Sequence, residues 1–168
     1  MITKNITGLF LAMGLVLLGS AFALSSINDL SMVFANHEFA ANLTGQEEVP
    51  PVDTQATAEV IFVPIAPANE TIDYFLNATN LLGVTQGHIH SGEKGVNGPV
   101  VVTLFNYNNT QDGVSENGTI SSSNLEGPLQ GKAVADLISA MKNSTTYVNF
   151  HTEQNPEGEI RGQLNSTE

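Results

Sequence analysis

From Asn36 onward, apolar residues recur at every second position, and this alternation restricts the chain to half-buried β-strands. Ala56, Ala58, Val60 and Phe62 alternate with Thr57, Glu59 and Ile61, and Ile72, Tyr74, Leu76 and Ala78 alternate with Asp73, Phe75 and Asn77. Strands are expected at His37–Leu43, Gln55–Val63, Thr71–Thr79, Val84–His90, Val100–Phe105, Thr146–Thr152 and Glu159–Leu164, with a short edge strand over Gly118–Leu125. The polar stretch Asn106–Gly118 reads as a surface loop, and the paired prolines Pro50 and Pro51 exclude a central strand there. One segment keeps a different period. Val134, Leu137, Ile138 and Met141 fall on one face of a helix, so 133–142 is expected to be a short amphipathic helix against the β core. Seven or eight short strands at this spacing predict an all-β Greek-key sandwich or barrel, immunoglobulin-like or superoxide-dismutase-like, as one domain over 36–168.

The first 35 residues follow another rule. Lys4 is the only charge before an apolar stretch running from Ile6 to Leu24, and Ala21-Phe22-Ala23 offers a small-x-small cleavage pattern. Val33-Phe34-Ala35 is a second candidate cleavage site. Residues 1–35 are read as a signal peptide, or as an N-terminal membrane anchor if uncleaved, since 19 residues suffice to span a bilayer. Both readings place the remainder outside the cytoplasm, secreted or at the cell surface. Asn-x-Ser/Thr acceptors at Asn42, Asn69, Asn77, Asn108, Asn117, Asn143 and Asn165 agree with export and are candidate glycosylation sites.

Composition narrows what such a domain can do. Seventeen acids against five bases give a formal charge of −12, which a phosphate backbone repels, so nucleic acid is excluded as a partner. Cysteine is absent, which removes disulfides, thiol nucleophiles and thiolate metal sites. No Gly-x-Ser-x-Gly elbow or phosphate loop is present. The run Glu47-Glu48 with Asp53 reads as a solvated loop in preference to a calcium site or acid–base pair. Glu159 and Arg161 are expected on one strand face as an ion pair.

The sharpest chemical feature is Gly87-His88-Ile89-His90. On a strand, His88 and His90 share a face while Ile89 points into the core. Val148 and Phe150 have core parity, which turns His151 outward with Tyr147 and Asn149. Three imidazoles can hold zinc or copper with one coordination position left open. The competing reading makes them histidines that brace loops by bonding backbone.

Four strings occur in an order that resembles the CHRD domain, first described in chordin and widespread in microbial secreted proteins. They are Leu43-Thr44-Gly45-Gln46-Glu47-Glu48-Val49-Pro50-Pro51, Gly87-His88-Ile89-His90-Ser91-Gly92, Gly95-Val96-Asn97-Gly98-Pro99-Val100-Val101-Val102, and Tyr147-Val148-Asn149-Phe150-His151-Thr152 leading to Gly158-Glu159-Ile160-Arg161-Gly162-Gln163-Leu164. The resemblance implies an exported β domain without a settled enzymatic activity, and its motifs include the positions of His88, His90 and His151. A more distant likeness links the His-x-His strand to copper/zinc superoxide dismutases, which need more imidazoles than this chain has and a disulfide it cannot form. The reading is therefore a non-enzymatic extracellular binding or structural module with a candidate copper or zinc site at His88, His90 and His151. Its partner would be an extracellular protein or cell-surface component, with no membrane contact beyond a retained N-terminal segment. The rival is a copper- or zinc-dependent redox metalloprotein using the same histidines, with Arg161 or Glu159 beside them.

Overall fold

A computed structural model describes residues 38–65 and 70–167. The leader, both cleavage candidates, His37 and Asn69 lie outside the described residues.

The alternating segments form strands β1 (Phe39–Thr44), β2 (Thr57–Pro64), β3 (Ile72–Thr79), β4 (Val84–Ser91), β5 (Val100–Gln111), β6 (Val114–Ile120), β7 (Thr146–Thr152), β8 (Ile160–Gln163) and β9 (Asn165–Ser166). They make one antiparallel sheet in the order β5-β4-β7-β8-β1-β2-β3-β6, with β9 on β1, curled until it is nearly closed like a barrel. The all-β expectation holds. Register follows parity: Phe39 pairs with Phe62, Val60 with Leu76 and Ile89 with Val148, so one face of every strand delivers its apolar residues inward. The phenol of Tyr74 on β3 donates to the Leu104 carbonyl on β5 at 2.9 Å, which ties the β5 end of the sheet to the strand next to the opposite end.

The segment 106–118 departs from expectation. Asn106–Gln111 continues β5 and Val114–Ile120 is β6, so the expected loop is largely strand. Asn106–Gln111 is polar, largely exposed and paired with β4, whereas β6 is held on β3 with its buried ends Val114 and Ile120 facing Ala78 and Ile72.

Helix α1 (Val134–Lys142) forms where its period required, capped by Asp136, whose carboxylate accepts the Ala133 amide at 3.0 Å. Val134, Leu137, Ile138 and Met141 are all buried in the common core. Each such burial contributes about 1.5–3 kcal/mol relative to exposure.

β7 is buried at every position. One face meets the core through Val148 and Phe150. The other carries Tyr147, Asn149 and His151, and must be covered by loops, because the barrel interior lies on the opposite side. The segments 91–99, 45–52 and 153–159 supply that cover and turn the outer face of β4, β7 and β8 into a buried polar layer.

Candidate metal centre

The three histidines meet in this layer. His88 and His90 lie on β4 and His151 on β7, with Gln86 opposite His151 and His90 opposite Tyr147. All three are buried. One ring nitrogen from each lies within 4.8 Å of the others, close enough that the three could hold one ion.

Backbone carbonyls fix the rings. His90 Nδ1 donates to the Gly98 carbonyl at 2.9 Å, and His151 Nδ1 donates to the Pro156 carbonyl at 3.0 Å. Each bond sets a tautomer with a free lone pair on Nε2 and the ring aimed into the cluster. His151 Nε2 is 3.1 Å from His88 Nδ1. With its own proton on Nδ1, His151 accepts there, so His88 donates from Nδ1. His90 Nε2 is buried and has no partner among the described residues. The loop-bracing reading explains both Nδ1 atoms. It does not explain the orphaned Nε2.

Electrostatics keep the rings neutral. Burial lowers the pKa of all three; for His88, burial and then the nearby His151 and His90 bring it down to about 4. Imidazoles must be unprotonated to ligate, so near neutral pH no protons need to be removed from the cluster before a metal binds. Bonds of about 2.1 Å limit two ligands of one ion to roughly 4.2 Å apart, comparable to the 4.8 Å within which these nitrogens lie. The residues fit a zinc or copper ion. His88 would take part through Nδ1 once its proton has moved to Nε2.

Around the cluster lie groups that sequence reasoning read differently. Tyr147 is stacked between His90, 4.9 Å away between ring centres, and the Arg161 guanidinium, 3.5 Å from its own ring centre. Arg161 is almost wholly buried and donates to Asn97 Oδ1 at 2.9 Å and to the carbonyls of Glu93 and Val96 at 3.1 and 3.0 Å. The expected Glu159–Arg161 ion pair does not form. Glu159 accepts instead from Thr54, Thr152 and Asn155, and among the described residues the one salt bridge is Lys94 to Glu47. Glu48, expected in a solvated loop, is buried and accepts from Asn149 Nδ2 at 3.4 Å. Its only sequence signal was its place between a strand end and two prolines.

The family model of the CHRD domain matches residues 39–164, three-quarters of the chain, and the chain belongs to the CHRD domain family. No curated protein and no solved structure matches it.

Proposed function

We propose that this CHRD-family protein is an extracellular metal-binding module that holds one copper or zinc ion on His88, His90 and His151. The observation that carries the reading is the convergence of three neutral imidazoles, two of them oriented by carbonyls, on a buried Nε2 with no partner among the described residues. Export is supported by the apolar leader pattern in the sequence, and the glycosylation reading by the exposure of Asn42, Asn77, Asn108, Asn117, Asn143 and Asn165. Among the described residues no helix is long and apolar enough to cross a membrane.

The module is read as a binding or structural unit, with an extracellular protein or cell-surface component as partner. A redox role on the same site has one observation in its favour. Three protein ligands leave a coordination position open, as catalytic metal sites do. Native mass spectrometry and metal analysis of untagged protein, purified without chelator, test the metal. About one equivalent is expected, lost in the His90→Ala variant. Less than a tenth of an equivalent, unchanged by added zinc or copper, refutes it. Superoxide and peroxide turnover by the copper-loaded protein separates the redox role from simple binding.

A further inference from the structure

Besides His90 Nε2, four buried side-chain atoms lack a partner among the described residues: Thr146 Oγ1, Gln163 Oε1 and a neighbouring pair of acceptors. Among the described residues, Glu48 Oε1 and Asn149 Oδ1 are both buried without a hydrogen-bond partner, although Asn149 Nδ2 reaches Glu48 Oε2 at 3.4 Å. Both orphan oxygens face Gly158. A Cβ built on that glycine would lie 2.5 Å from both end atoms of the Asn149 amide and 2.7 Å from Glu48 Oε1. The space beside Gly158 therefore has no room for a methyl group, and the two oxygens border the same buried spot.

We propose that Glu48 is a proton-binding site, a neutral acid that donates from Oε1 to Asn149 Oδ1 and releases its proton when a divalent cation loads the histidine cluster. The hydrogen supplies both orphan oxygens at once and closes a two-bond acid–amide ring with the existing Nδ2-to-Oε2 contact. Asn149 stands between the neutral histidine cluster and the charged Arg161, opposite His88 on β4 and opposite Arg161 on β8.

The groups facing Glu48 are the Arg161 guanidinium, which favours the carboxylate, and the neutral His88 and His151 beyond Asn149. The carboxylate of Glu159 is occupied by its three donors, Glu157 lines the neighbouring cleft, and Glu47 is turned outward to Lys94. Burial outweighs Arg161, the Val49 amide and the Asn149 amide, which all favour the carboxylate, and holds Glu48 at about 7. A metal ion adds positive charge to a layer that already contains Arg161, and loss of the Glu48 proton offsets it. The three histidines are already neutral and have no proton to give. Glu48 thus acts as a positioning and charge-compensating residue.

The acid–amide pair stands without a metal, whereas the release step rests on the proposed metal site, and the experiment separates them. Infrared spectra of the full-length, zinc-free protein at about pH 6 and about pH 8 are expected to show a carboxylic-acid carbonyl band that fades at the higher pH and is missing in Glu48→Gln. Carboxyl-carbon NMR of glutamate-labelled wild-type protein tracks the same titration without a variant. Calorimetric zinc titrations in buffers of different ionisation enthalpy then count protons. The wild type is expected to release up to one more per zinc than Glu48→Gln near neutral pH. Absence of any carboxyl titrating near neutrality overturns the proposal. Zinc binding with equal proton release in both proteins overturns the coupling. An acid band with no zinc binding leaves the pair standing and refutes the metal reading.

Discussion

Acid should destabilise the metal-free protein through His88, by an amount that follows from its surroundings. The ring sits in a buried layer beside two other imidazoles, and its pKa falls from 6.5 to about 4. A group with a depressed folded-state pKa contributes stability that is complete above its unfolded value and is lost as pH falls toward the folded one. The window is therefore 6.5 down to about 4. At 1.36 kcal/mol per pKa unit the loss approaches about 3 kcal/mol, and His90 and His151 add in the same direction. For a domain of ordinary stability that is a large fraction of the total.

Glu48 works against this limb, since its raised pKa means that stability is lost as pH climbs from 4.5 to about 7. The measurement is therefore made in a Glu48→Gln background. Urea unfolding of the chelated protein, with and without His88→Gln, is compared between about pH 7 and about pH 4. The double variant is expected to lose about 3 kcal/mol less over that range than the single one. Surface carboxylates common to both proteins cancel. Parallel curves would refute the reasoning, because they would mean that the His88 ring is reached by solvent or already protonated when folded.

Further outcomes follow from the same layer. Glu48→Gln alone should leave the fold intact and gain up to about 3 kcal/mol over wild type as pH rises from about 5 to about 8, read by the same unfolding assay. Gly158→Ala should cost at least about 2 kcal/mol, because φ is +136° and the new carbon would press on Asn149 and Glu48; the loss of thermal midpoint checks it. Arg161→Lys should cost about 2–4 kcal/mol, since an ammonium cannot keep both the stacking on Tyr147 and the fork of bonds to Asn97, Glu93 and Val96. Saturation with zinc at about a hundred times Kd should raise stability by about 2.7 kcal/mol, an increment lost in His90→Ala.

The parity of the strands was legible in the sequence because it is a local property. Ile89, Val148 and Phe150 have no choice but the core, and that alone turns His88, His90 and His151 to the other side. That β4 lies next to β7 is a long-range pairing that no local pattern encodes, so the convergence of the rings was a conjecture until the topology was known. The polar layer was misread for a related reason. Glu48 and Arg161 look like surface charges, and their burial depends on how three loops fold over the outer face of β7 and β8. The strands within 106–118 are not legible because most of their residues are polar, and their order comes from pairing with β4 on one side and β3 on the other rather than from alternation.

Charge distribution bears on which of the two metal readings the molecule favours. Four of the five basic residues fall among the described residues: Lys94 is paired with Glu47, Arg161 is buried beneath its loop, and Lys132 and Lys142 remain exposed. The loops over the cluster carry Glu93, Glu153 and Glu157 on a chain of net charge −12. Such a field raises the local concentration of cations and lowers that of anions. It assists capture of a divalent ion by neutral imidazoles and slows the approach of an anionic oxidant such as superoxide. The rates should respond to salt in opposite senses. Added salt should slow zinc capture, as screening removes the attraction, and should speed any superoxide turnover by the copper-loaded protein. Turnover that instead falls with ionic strength would require a local positive funnel, for which Arg161 is the available charge, and would move the balance toward the redox reading.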